Sequence, residues 1–171
     1  IQIDILGDYP EIKKPESTII INSIYAGEVD INDAKEKASS GYHCVYIYTR
    51  GKNLSNHKIE PFEHEQEDIN EVIDWIVKQP WSNGKVGMIG GSYLGFSQWA
   101  AAKNVHPALK TIIPQASVGI GAIDFPMNNQ AFSTYTLRWL NFVTNNKTTD
   151  EEDFGNEEKW NSIYKKWYES G

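Results

Sequence analysis

The 171 residues hold a single cysteine, Cys44, so no disulfide can form within the chain. Cys44 stands in an apolar stretch, where a thiol acts as a small inert hydrophobe. Cations are also scarce. Sixteen Lys and Arg face 23 Asp and Glu, for a net charge of −7. Phosphate binding needs clustered Lys and Arg, and no basic stripe is present, so nucleic acid is excluded as the main partner. No apolar run approaches the length of a membrane span, and no membrane partner is expected. No H-E-x-x-H, H-x-x-x-H or Cys/His cluster is present, so neither a metal nor another cofactor is expected. The sequons Asn53-Leu-Ser and Asn146-Lys-Thr matter only in a glycosylating host. The chain opens on Ile1 rather than Met and carries no signal-peptide pattern. It is therefore expected to be a fragment or a processed product, and no compartment follows from it.

What is present suits one globular domain with a real core. Ile1 to Leu6 alternates apolar and polar, the period of a strand. Thr18 to Ile21 (T-I-I-I) and His43 to Tyr48 (H-C-V-Y-I-Y) suit strands buried on both faces. Asn32 to Ser40 reads as a helix, with Asn32 as its N-cap and Gly41 as its stop. Glu65 to Gln79 is the clearest helix. Its residues Ile69, Val72, Ile73, Ile76 and Val77 form one apolar stripe, and acidic residues crowd its first turn. Pro80 ends it, and Asn83-Gly84 marks a turn. Lys85 to Ile89 and Leu109 to Ile113 are short strands around an apolar helix at Tyr93 to Lys103. Strands alternating with helices imply a mostly parallel sheet covered on both faces.

After Pro114 the pattern changes. Residues 115–131 read as loop. Two amphipathic helices follow, carrying Phe132, Tyr135, Trp139 and Phe142, then Trp160, Tyr164, Trp167 and Tyr168. The acidic linker T-D-E-E-D-F-G-N-E-E separates them. The expected division is 1–127 as a partial α/β core and 128–171 as the beginning of a helical cap.

Residues 86–95 read V-G-M-I-G-G-S-Y-L-G. Right-handed crossovers place Ser92 at the carboxyl end of a central strand, the edge where open α/β sheets bind ligands. A serine hydroxyl becomes a nucleophile when a strained strand-to-helix turn holds it exposed beside a base and facing oxyanion donors. Gly90 lies two before Ser92, but Leu94 lies two after and the glycine comes one place later. The strict G-x-S-x-G pattern therefore fails, and a structural glycine-rich turn stays open on spacing alone. A phosphate cradle is weaker, because neither G-x-G-x-x-G nor Gly-Lys-Ser/Thr is present.

The stretch D-W-I-V-K-Q-P-W-S-N-G-K-V-G-M-I-G-G-S-Y-L-G-F-S-Q-W-A-A-A resembles the X-Pro dipeptidyl-peptidase and cocaine-esterase group of α/β-hydrolases. Gly90, Ser92, Tyr93 and Gly95 match its G-x-S-Y-x-G hallmark. Trp75, Gln79, Pro80, Trp81, Gly84, Val86, Gly87 and Met88 match the lead-in. The likeness runs from about Ser17 to about Trp139 and accommodates the displaced glycine. It implies a serine hydrolase with Ser92 as nucleophile and with the backbone N–H of Tyr93 and the hydroxyl of Tyr25 as oxyanion donors. Around Tyr25 the Arg and Pro of the family's R-x-P-Y segment are replaced by Asn22 and Ile24. Arg50, Gly51 and Ser55 match a D-x-R-G-x-G-x-S loop from which Tyr48, Lys52 and Asn53 depart, and Arg50 is expected to be structural. Phe132 and Trp139 are candidates for an acyl-side pocket, against packing of the cap's own core.

α/β-Hydrolases order their triad Ser, acid, His along the chain. After Ser92 the one histidine is His106, and no Asp or Glu lies between them. The resemblance places the acid and the histidine beyond residue 171. The isolated chain is then expected to turn over little substrate. Its substrate would be a small molecule or a peptide. A hydrolase-like binding or scaffolding domain without catalysis is the alternative.

Overall fold

The isoleucine run at Thr18–Ile21 lies at the centre of the sheet. A computed structural model describes residues 2–6, 15–25, 29–117, 127–128, 131–132, 134–145 and 155–170. Strand β2 (Glu16–Ser23) has β3 (His43–Tyr48) on one side and β4 (Ser82–Gly91) on the other, both parallel to it. Strand β5 (Leu109–Gln115) joins β4 in parallel, and β1 (Gln2–Leu6) joins β3 antiparallel. The order is β1-β3-β2-β4-β5. The expected sheet is present, with one antiparallel strand at its edge.

Side chains along a strand alternate between faces, and the helices take one face each. Ile20, Val45, Ile47, Val86 and Met88 pack against Ile69, Val72, Ile73 and Ile76 of helix α2 (Glu65–Ile76), and against Ala101 of α3 (Tyr93–Ala102). On the other face Ile21, Cys44 and Tyr46 meet Ala34 of α1 (Val29–Ser39). Burial there pushes the Cys44 thiol up to about 12, so it is protonated and unreactive.

Two local readings are corrected. Asn32 is not an N-cap, because α1 begins at Val29. The Asp30 carboxylate, in the first helical turn, accepts a hydrogen bond from Ser23 Oγ at 2.6 Å and ties the helix start to the end of β2. Asn83-Gly84 does turn the chain, but inside β4 rather than before it. Gly84 has φ +75°, the Lys85 N–H bonds Asn83 Oδ1, and the pairing of β2 with β4 shifts register there.

Past β5, residues 118–126 lie outside the described residues. Strands β6 (Met127–Asn128) and β7 (Ala131–Phe132) form a two-rung ladder in a segment expected to be loop. The two expected helices follow as α4 (Thr134–Asn145) and α5 (Glu157–Ser170), but the first begins after Phe132, which stands in β7 and not in the helix. Most of the acidic linker falls in 146–154, outside the described residues. Arg138 joins the helices. It pairs with Glu157 at 3.1 Å, and its guanidinium lies 5.4 Å from the centre of the buried Trp160 ring. Trp139 and Val143 of α4 pack on Ile24, just after β2, and on Tyr93 and Phe96 of α3.

The connection through α1 moves the chain one way across the sheet. The connection through α2 brings it back past β2 to β4. The direction reverses between β2 and β4, which is the switch point where α/β sheets open a crevice at their carboxyl ends. Tyr25 follows β2 and Ser92 follows β4.

Candidate active site

Ser92 links β4 to α3 with φ +54° and ψ −121°, a backbone state that residues bearing a Cβ rarely adopt. Its N–H bonds Gln115 O at 2.9 Å, and its carbonyl accepts the N–H groups of Gly95 and Phe96. The backbone is thus pinned on both sides, while the residue itself stays exposed. These are the properties of a nucleophile elbow.

The glycines around it have separate steric reasons. A Cβ on Gly90 would lie 2.5 Å from Leu94 Cβ, and its φ is +146°. Leucine at the second position after the serine is possible because Gly90 has no side chain. A Cβ on Gly95 would lie 2.4 Å from Ser117 Cβ and 3.2 Å from Gln115 O. The displaced glycine lets the first turn of α3 approach the end of β5.

The Tyr25 hydroxyl lies 3.2 Å from Ser92 Oγ, although the two residues are 67 positions apart. Buried Ser23 sets the turn that carries Tyr25. Its Oγ accepts the Tyr25 N–H at 3.1 Å while donating to Asp30. In place of a proline before the tyrosine, Ile24 is fully buried beneath α4. Trp139, 7% exposed, donates its indole N–H to the Tyr25 hydroxyl at 3.2 Å. The Tyr93 N–H occupies the first position of α3, where an amide has no acceptor within its own helix. The structure therefore brings Ser92, Tyr25, Tyr93 and Trp139 together. Phe132 stands in β7, but its side chain is outside those described.

Four contributors escaped the sequence reading. Glu65, read as a dipole-favoured acid, is buried and accepts the Tyr93 hydroxyl. Burial pushes its carboxyl above the usual range. The Tyr93 phenol is held well above its ordinary range, mainly by burial and then by the Glu65 charge. Phe62, with φ +74°, donates its N–H to the same hydroxyl at 3.0 Å and packs its ring on Tyr93, Phe96 and Trp139. Gln98 is fully buried. Its Nε2 donates to Gly90 O and Leu94 O, and its Oε1 accepts the Ile113 N–H at 2.8 Å. That clamp holds β4, α3 and β5 in one geometry, and a lone long amide in an apolar helix was its signal. Lys52, also buried, donates to Val143 O at 2.9 Å near the end of α4.

The remaining polar candidates are engaged elsewhere. Arg50 forks onto Asp68 of α2 with Nε at 3.1 Å, a structural clasp for the loop after β3. His106 Nε2 meets Asp74 at 3.2 Å, and its Nδ1 accepts the Ala108 N–H. His64 pairs with Glu60, and His43 packs on Trp81 with ring centres 4.9 Å apart. Among the described residues, the hydrogen bond of Ser92 Oγ is to Tyr25, and no histidine reaches it. No cluster of three metal-binding side chains forms among them either.

Known proteins resemble the chain in both sequence and fold. It is 35% identical over 91 residues to the cocaine esterase of Rhodococcus sp. (strain MB1 Bresler), a stretch covering 53% of this chain and 16% of that protein. A crystallised α-amino acid ester hydrolase superposes with a TM-score of 0.61 at 27% identity, covering 78% of this chain and 26% of the other. A CocE/NonD family hydrolase of Staphylococcus aureus superposes at 0.66 and 21% identity, over 93% of this chain and 34% of the other. That last likeness speaks for the fold alone, and the fold is a partial α/β-hydrolase sheet. The chain thus spans about a third or less of the length of these relatives. The sequence pattern of the X-Pro dipeptidyl-peptidase (S15) family matches residues 10–170, nearly the whole chain, and by that match the chain belongs to this family.

Proposed function

We propose that the chain is the nucleophile-bearing part of a serine hydrolase that cleaves ester or amide bonds, X-Pro peptide or acyl, through an acyl-enzyme on Ser92. The observation that carries this reading is the strained, exposed Ser92 with the Tyr25 hydroxyl 3.2 Å from its Oγ. In the proposed reaction Ser92 Oγ attacks the carbonyl carbon while a base takes its proton. The Tyr93 N–H and the Tyr25 hydroxyl donate to the oxygen that becomes negative. The tetrahedral adduct expels the alcohol or amine, which takes that proton from the base. Water then attacks the acyl-enzyme by the same route and frees Ser92.

The base and its acid partner belong to the part of the protein outside these 171 residues. In this reading residues 1–127 are the core and 128–171 begin the cap. No histidine of the described chain reaches Ser92, so the isolated chain should turn over little or no ester. A fluorophosphonate probe should label Ser92 in the full-length protein and fail to label a Ser92→Ala variant. Robust ester hydrolysis by the isolated chain, abolished by Ser92→Ala, would mean that the base is misplaced.

The second reading is a hydrolase-like binding or scaffolding domain. The favouring observation is that His43, His64 and His106 are engaged elsewhere and none reaches Ser92 Oγ. An unlabelled full-length protein that retains its fold would select it.

A further inference from the structure

The hydroxyl of Tyr25 is approached from two sides. The Trp139 indole N–H lies 3.2 Å away on one, and Ser92 Oγ 3.2 Å away on the other. An indole nitrogen can only donate. With that donor seated on the phenol oxygen, one acceptor position is filled, which favours the Tyr25 proton on the side of Ser92 Oγ and, in a reaction, of the oxyanion. A chain of donors in one direction also polarises each member.

Trp139 belongs to α4, which docks through an apolar cluster that includes Val143 and through two further contacts. Trp139 stacks on the Tyr93 ring with centres 5.8 Å apart, and Lys52 Nζ holds the Val143 carbonyl at 2.9 Å. Tyr93 and Phe62 cover the Trp139 ring, which is 7% exposed, so little of it is available to a substrate.

We propose that Trp139 is a positioning residue. By donating to Tyr25 it aims and strengthens the side-chain donor of the oxyanion hole, so that docking of α4 onto the sheet completes the site. The inference rests on the reading of Tyr25 as an oxyanion donor. It differs from a pocket role in acting through Tyr25.

The contact is tested in the full-length protein by the indole ¹⁵N–¹H resonance of Trp139. Tyr25→Phe should move it upfield while the other tryptophan resonances hold. An unmoved resonance would overturn the inference, whatever becomes of Ser92 as nucleophile. The coupling is tested in the full-length protein by the rate at which a fluorophosphonate labels Ser92. Trp139→Phe keeps an aromatic ring and removes the donor, and should slow labelling about tenfold, the worth of one good hydrogen bond. The double variant should label no more slowly than Tyr25→Phe alone. Losses that multiply would assign Trp139 to the substrate pocket and overturn the proposal. If Trp139→Phe fails to fold, the resonance in Tyr25→Phe still decides. A full-length protein whose Ser92 is not labelled at all refutes the nucleophile reading instead.

Discussion

Positive φ at Ser92 requires that the surrounding contacts outweigh a strain of about 1–3 kcal/mol. Those contacts are the three hydrogen bonds of the Ser92 backbone and the Gln98 clamp behind it. Gly95 belongs to the same mechanism. Its absent Cβ is what lets α3 meet Ser117 and the Gln115 carbonyl. Gly95→Ala would press a methyl into backbone and Cβ atoms that cannot rotate away. It should cost about 2 kcal/mol or more in a urea melt. A loss under about 0.5 kcal/mol would show that the turn has slack. At this scale Gly90 and Ser92 could be picked out from the sequence. Gly95 could be explained there only by resemblance, because its steric reason lies in residues 115–117.

The loop after β3 departs from the family pattern at Lys52, and the structure supplies a reason. Lys52 is buried with its ammonium on a carbonyl in the last turn of α4, where a cation also favours the helix dipole. Arg50 holds the same loop to α2 through Asp68. One loop therefore fastens α4 to the core at Val143, and Trp139 fastens it at Tyr25 and Tyr93. Lys52→Met keeps the stem and removes the donor. Amide hydrogen exchange in 134–145 should then quicken about tenfold while α2 and α3 keep their protection. Unchanged exchange in α4 would show that its apolar contacts hold the helix without Lys52. The elements themselves were mostly legible, since the apolar stripe of α2 and the β-branched runs of β2 and β3 are periodic. What periodicity missed were the ends, such as Val29 and Gly84, where a side chain from another element or a register shift decides.

The whole chain stores protons on groups it has removed from water. Cys44 ionises near 9.0 in ordinary surroundings and at about 12 when folded, while Tyr93 is held well above 10.0. Both folded values are raised, so the folded chain binds more protons than the unfolded one in that window. The stability these groups supply is whole below pH 9 and declines as pH rises toward 12. Cys44 contributes up to about 1.4 kcal/mol per pH unit. Urea midpoints measured from pH 8 to 11 should fall accordingly. Cys44→Ala should flatten the part between 9 and 10 and make the decline above 10 shallower, leaving there the share of Tyr93. A slope that ignores Cys44→Ala would refute the linkage.

Hydrophobic period, turn residues and the G-x-S-Y-x-G stretch were enough to set the α/β alternation, the strand-to-helix turn and the candidacy of Ser92. These are local properties, written in neighbours a few residues apart. Which residues meet Ser92 was decided by the tertiary structure. The reversal of crossover direction between the parallel strands β2 and β4 sets Tyr25 beside Ser92 across 67 positions. The docking of α4 then brings Trp139 to Tyr25 across 114. Neither distance has any trace in spacing, because a hydrogen bond between elements depends on how layers pack and not on how far apart residues stand along the chain.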